Sequence, residues 1–235
     1  MPFPNFFILA STSPRRRQFL EALGIPFTVI APGQANGVEE IDESPLANET
    51  PANLVQRLSK VKAQAVVDHL PKLYPQINQY THAAVIAADT VVVLNGAILG
   101  KPDTPNEATK MLQHLREKPH FVYSGLTVVQ PPRTSKETVI SVTKLHQSKV
   151  WMRPYSNPEI RVYVASGSPM DKAGAYGIQD KIFAPVARLD GCFASVMGFP
   201  IGEFATALKE MDLSLPETPP ICKQLIGQDC CFLKQ

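Results

Sequence analysis

The run Ala83–Ala88 (AAVIAA), followed at once by Asp89-Thr90, constrains the fold of this chain more than any other stretch. A strand that is apolar at every position, rather than at alternate ones, has both faces covered, as in a sheet with helices on either side. The expected class is therefore α/β. In open α/β sheets ligands bind beyond the carboxyl ends of the strands, and a buried carboxylate is costly unless it is paired or used. Read at such a strand end, Asp89 is a catalytic candidate. Val91–Leu94 continues as strand, Asn95-Gly96 is a favoured two-residue hairpin turn, and Ala97–Leu99 returns, bringing Gly100-Lys101-Pro102 back to the same edge.

A second stretch, Phe6–Gly24, passes from strand to helix through a hydroxyl-rich turn. Phe7, Ile8 and Leu9 read as a short buried strand, Ser11, Thr12 and Ser13 form the turn, and Pro14 opens a helix with Ser13 as N-cap. Phe19, Leu20 and Leu23 recur at helical spacing before Gly24 ends it. Arg15, Arg16 and Arg17 then fall in the first helical turn, where the macrodipole is already positive. The conflict has two resolutions: a solvated basic turn, or an anion site in which Ser11, Ser13, free backbone N–H groups and the guanidinium forks converge.

The remaining segments fit around these two. Phe27–Ala31 reads as a strand, and the polar Gly33–Thr50 segment carries Glu39, Glu40, Asp42 and Glu43. It is either solvated surface or the source of one carboxylate for a metal beside the arginines. Pro51 starts a helix with Leu54, Leu58, Val61 and Ala65 as its apolar stripe and Lys62 at the stripe's edge, and Thr104–Glu107 is a capping box opening another. Phe121–Val129 and Val139–Met152 read as an antiparallel pair, Asn157-Pro158 caps a helix that stops at Gly167, Ile182–Leu189 reads as a strand and Pro200–Met211 as a helix. Between the last helices, GSPMDKAGAYGIQD has no period. Gly167, Gly174 and Gly177 allow a ligand close to the backbone there, with Lys172 and Gln179 placed to contact it.

Composition limits the function classes. With a net charge of +2 over 235 residues, a broad nucleic-acid footprint is not expected, and any basic site is local. No apolar run is long enough for a membrane span and no leader is evident, so a cytoplasmic protein is expected. Cys192, Cys222, Cys230 and Cys231 lack metal or disulfide-framework spacing, the five histidines lack HExxH spacing, and no GxxxxGK[ST] or GxGxxG turn occurs.

Taken in order, LASTSPRRR (Leu9–Arg17), Lys62 in KVKAQAV, AADTVV (Ala87–Val92), GKP (Gly100–Pro102), DKAGAYGIQ (Asp171–Gln179) and GFP (Gly198–Pro200) resemble the Maf family of nucleoside triphosphate pyrophosphatases, from about Ile8 to Leu208. The resemblance implies an elongated, twisted mixed sheet flanked by helices, similar to the inosine-triphosphate pyrophosphatases, with the active site in a cleft across it. One catalytic domain over 1–215 and a tail over 216–235 are expected. The implied reaction splits a nucleoside triphosphate into a monophosphate and pyrophosphate with a divalent cation, Mg2+ or Mn2+. Gln179, where the 7-methyl-GTP subgroup carries glutamate, implies dTTP and UTP, with modified pyrimidine nucleotides left open; a non-enzymatic nucleotide-binding regulator of cell division and the same chemistry on 7-methyl-GTP are the rival readings.

Carried over by residue, Asp89 is the proton acceptor and, with Glu40, a metal partner. Lys62, Lys101, Arg15 and Arg16 neutralise phosphate charge, and Arg15, Thr90 and Gln179 read the base. The triphosphate is the expected partner, without nucleic acid or membrane, and a homodimer is left open. Ser124 and Ser148 stand where threonine is usual, and Asp180, where glycine is usual, adds a charge beside Gln179.

Overall fold

The computed structural model describes residues 6–34, 37–73, 83–132, 138–213 and 222–223. Its strands are β1 (Phe6–Leu9), β2 (Phe27–Val29), β3 (Ala83–Leu94), β4 (Ala97–Leu99), β5 (Pro119–Gln130), β6 (Ile140–Met152) and β7 (Val186–Asp190). They form one mixed sheet in the order β2-β1-β3-β5-β6-β7, with β4 pairing to β3. β1 is parallel to both β2 and β3, whereas β4 to β7 are all paired antiparallel.

The helices are α1 (Pro14–Ala22), α2 (Pro51–Leu73), α3 (Pro105–Leu115), α4 (Asn157–Ala165), α5 (Phe193–Val196) and α6 (Ile201–Glu210). Alternation along β3 divides them between two faces. Ala84, Ile86 and Ala88 pack with Phe19 and Leu20 of α1 and Phe204 and Leu208 of α6, and further along Val92 and Leu94 meet Leu112 of α3 and Ile160 of α4. The intervening Ala83, Val85 and Ala87 pack under Ala63, Val66 and Leu70 of α2, and Val91 and Val93 under its Leu54 and Leu58. The doubly covered strand is as expected.

Four local expectations need correction. Asp89 does not end a strand; β3 runs on without interruption to Leu94, because the hairpin continues the same strand. The α2 stripe is not Leu54, Leu58, Val61 and Ala65: Val61 is exposed, and Val55, Ser59, Ala63, Val66, Val67 and Leu70 take the buried face with Leu54 and Leu58. Ser59 hid this face from a purely apolar count, and its hydroxyl lies 2.9 Å from that of Thr127. The cap of α4 is Ser156, which forms a reciprocal capping box with Glu159. The last strand starts at Val186, not Ile182, which is 97% exposed; Asp180 Oδ1 accepts from the N–H groups of Ile182 and Phe183 and makes that stretch a turn.

Among the described residues no helix is long and apolar enough to cross a membrane. Of the expected tail, 216–221 and 224–235 lie outside the described residues, while Cys222 is buried in the cluster that holds Phe199 and Met211.

Candidate active site

The site lies where the sheet is interrupted. β1 covers one edge of β3 as far as the Leu9–Ile86 pair, and β4 covers the same edge from the Leu99–Val92 pair onward. Between them no described strand pairs with β3, and a cleft of about 700 Å³ opens there, within the range of roughly 300–1,000 Å³ usual for small-molecule sites. The β1–α1 turn lines it with Ser11, Ser13, Arg15 and Arg16, and the acidic loop with Glu40. Lys62 of α2, Asp89 and Thr90 of β3, Lys101 after β4, and Lys172 and Gln179 of the glycine-bearing loop complete the set nominated from sequence.

Asp89 and Thr90 are neighbours in a strand, so their side chains leave opposite faces of the sheet. Asp89, 6% exposed, faces α2, where Lys62 Nζ lies 2.7 Å from its Oδ1 and 2.6 Å from Glu43 Oε1. The acid gripping this lysine is thus Glu43. Glu40 lines the cleft without an ion pair among the described residues. Nothing local in the sequence marked which of the loop acids Glu39, Glu40, Asp42 and Glu43 would reach Lys62.

On the other side, Arg16 Nε donates to the Gly198 carbonyl at 3.0 Å and Nη1 to Ser11 Oγ at 2.9 Å. Burial lowers the pKa of this guanidinium; Asp89 pulls it up, Arg15 pushes it down and Glu43 pulls it up. Ser13 occupies the N-cap position of α1, but its hydroxyl does not cap; its N–H is given to Ser11 Oγ at 3.2 Å. The start of the helix therefore has no side-chain cap.

Arg15 meets a partner the sequence did not suggest. Its Nη1 lies 2.7 Å from Asp171 Oδ2, and Lys172 Nζ donates to Asp171 Oδ1 at 2.6 Å. Burial alone would raise the Asp171 carboxyl, but the hydrogen bonds from Lys172 and Arg15 outweigh it and hold the group below its ordinary value. The loop around Asp171 forms two 3-10 turns, Ser168–Asp171 and Ala173–Ala175, and Gly174 N–H bonds to the Gly100 carbonyl at 2.9 Å, seating the loop beside Lys101. Gly177 matters for space: a Cβ there would come 3.0 Å from both Gln179 Nε2 and Lys172 Cε, so the bare Cα lets both side chains lie against it. Behind them Tyr176 holds His120 at 2.7 Å. The Asp180 carboxylate is committed to its turn and does not line the cleft.

The interruption of an α/β sheet thus brings a buried carboxylate–lysine pair and an arginine-bearing helix start into one cleft, the chemistry of a site for a phosphorylated small molecule. The chain belongs to the Maf-like protein family, whose sequence pattern it matches over residues 6–211. It is 40% identical over 208 residues to the dTTP/UTP pyrophosphatase of Dictyoglomus turgidum, covering 88% of this chain and 97% of that protein. To the dTTP/UTP pyrophosphatase of Moorella thermoacetica it is 42% identical over 194 residues, 83% and 89% of the two chains. Among solved structures, the Staphylococcus aureus Ham1 protein aligns with a TM-score of 0.40 and 13% identity over 63% of this chain and 72% of that one.

Proposed function

We propose that this protein hydrolyses pyrimidine nucleoside triphosphates, dTTP and UTP, to the monophosphate and pyrophosphate. The observation that carries the proposal is the cleft itself, in which the Asp89–Lys62 pair and the Arg16–Ser11 start of α1 line a single cavity. The relatives at about 40% identity, whose names give this activity, support it. Water attacks the α-phosphorus, Asp89 takes its proton, the bond to the bridging oxygen breaks, and pyrophosphate leaves with its charge neutralised by Arg16, Arg15 and Lys101. Lys62 holds Asp89 in position and adds positive charge beside the reacting phosphoryl group. Gln179 offers a donor and an acceptor to a uracil or thymine edge.

A divalent cation belongs to the proposal. The acids lining the cleft, Asp89, Glu40 and Glu43, are hard oxygen donors, and magnesium takes one or two carboxylates together with substrate phosphates. Among the described residues no three His, Cys, Asp or Glu gather into an all-protein metal site. Asp89 and Glu40 would therefore hold the ion jointly with the substrate, and when bound it would polarise phosphoryl oxygens and lower the charge barrier to attack. Under this reading residues 1–215 form one catalytic domain working in the cytoplasm.

The test is a panel of UTP, dTTP, CTP, GTP and 7-methyl-GTP, with pyrophosphate and orthophosphate measured separately, with Mg2+, with Mn2+ and with chelator. Pyrophosphate release should be cation-dependent and favour UTP and dTTP over GTP and 7-methyl-GTP by at least about tenfold. Binding without turnover would make the protein a nucleotide-binding regulator instead. Orthophosphate as first product would place the cleavage at a different anhydride bond.

A further inference from the structure

Thr90 lies directly opposite Ser124 in the β3–β5 ladder, and their hydroxyl oxygens are 2.8 Å apart. Ser124 is fully buried, and its Oγ is also 2.8 Å from the backbone carbonyl of Ser195 in the short helix α5. A carbonyl can only accept, and two lone-pair oxygens at that distance repel unless a proton lies between them. The single hydrogen of Ser124 is therefore committed to Ser195. Ser124 can then only accept from Thr90, so the single hydrogen of Thr90 is committed as well. What Thr90 presents to the cleft is lone pairs alone.

The surroundings agree with this polarity. A Cβ at Gly198, where φ is +103°, would lie 3.4 Å from Thr90 Oγ1 and 3.8 Å from Arg16 Nε, so the bare glycine leaves the Thr90 oxygen uncovered beside a guanidinium that can only donate. An acceptor-only hydroxyl cannot bond a phosphate oxygen, which also only accepts. It suits a ligand N–H. Uracil and thymine present N3–H on the pairing edge, whereas cytosine presents an unprotonated N3 there.

We infer that Ser124 is a positioning residue which, through the Ser195 carbonyl, locks the Thr90 hydroxyl as an acceptor and so selects triphosphates whose pyrimidine carries N3–H over those of cytosine. The inference rests on the proposed pyrophosphatase activity and deepens it. Ser124→Ala frees the Thr90 hydrogen, which can then turn toward the cleft and donate to the cytosine N3. Ser124→Thr keeps the hydroxyl and the lock.

The experiment measures kcat/KM for UTP and CTP, by pyrophosphate release, in the unmodified protein and in Ser124→Ala, Ser124→Thr, Thr90→Val and the Ser124→Ala/Thr90→Val double variant. The expected UTP:CTP ratio is at least about tenfold in the unmodified protein, the size of one mismatched buried hydrogen bond. It should narrow about tenfold in Ser124→Ala mainly through a gain on CTP, and be restored in Ser124→Thr. In the Thr90→Val background, removing the Ser124 hydroxyl should leave the ratio where Thr90→Val alone puts it, which a merely structural serine would not do. An unmodified protein that turns over UTP and CTP equally, or a Ser124→Ala ratio unchanged while UTP is still cleaved, overturns the inference and leaves the pyrophosphatase reading standing. If neither triphosphate yields pyrophosphate, the underlying reading fails with it.

Discussion

Gly125 sits in the middle of β5 on the face covered by α2, and substituting it with alanine should damage both fold and chemistry. The new Cβ would stand 2.3 Å from the Val55 carbonyl oxygen, 2.5 Å from Val55 C and 2.9 Å from Gln56 N, all main-chain atoms of α2 that no rotamer change can move. Restoring ordinary contact near 3.5 Å requires the helix to lift by about 1 Å. Overpacking of this kind costs about 1–3 kcal/mol, while the reduced freedom of the unfolded chain returns only about 0.4–1 kcal/mol, so the net effect is destabilising. At about 2–4 °C per kcal/mol for a chain of this size, Tm should fall by several degrees. The same helix carries Lys62 to Asp89 at 2.7 Å, and in the catalytic role proposed for this pair a shift of about 1 Å should cost on the order of a hundredfold in turnover. Thermal melting and kcat for dTTP, measured on the same preparation, test both halves. A Gly125→Ala protein with unchanged Tm and turnover within about threefold of the parent would show that the α2 seat does not govern the site.

Three further outcomes are expected. Asp89→Asn should fold, since Lys62 retains Glu43 at 2.6 Å, but lose at least about a hundredfold in kcat/KM; a normally melting variant with more than about a tenth of the activity would remove Asp89 from the mechanism. Arg16→Ala should weaken triphosphate binding, measured calorimetrically with Ca2+, by at least about tenfold with little change in Tm, because relief of about 0.3–1 kcal/mol at the helix dipole offsets the lost bonds to Gly198 and Ser11; equal affinity would return the arginine turn to solvated surface. Burial holds His120 at about 4 in the folded protein, against 6.5 for the free side chain, opposed by a hydrogen bond with the Lys118 backbone. The unfolded chain therefore binds the extra proton between these values, and stability should fall as pH drops from about 6.5 to 4, by up to about 3 kcal/mol, in urea melts; a flat profile across that window would contradict a buried neutral imidazole.

How far the sequence could be read differs from one element to another, for physical reasons. The strand covered on both faces, the arginine-bearing helix start and the two-residue turn at Asn95-Gly96 were legible because each is a local rule expressed by adjacent residues. The partners were not: Glu43 on Lys62, and Asp171 on Arg15, depend on how a loop crosses the cleft, which no local preference encodes. Val61 was misread because its face of α2 is set by the sheet beneath, where a serine could be buried against Thr127. Gly125 did leave a trace, as a glycine inside a strand often marks another backbone close by, but without the helix in view that trace names no neighbour.

The alternation that separates Asp89 from Thr90 also ties chemical competence to correct folding. A strand slipped by one residue against β5 would still bury alanines and valines on both faces, since β3 is apolar almost throughout. Yet it would turn Thr90 toward Lys62 and Asp89 toward Arg16 and Ser124, exchanging the proposed proton acceptor and the neutral hydroxyl between the two halves of the cleft. Such a molecule would have nearly the same core and no productive site. Specific activity per folded molecule would then report on strand register, which a measurement of compactness alone would miss.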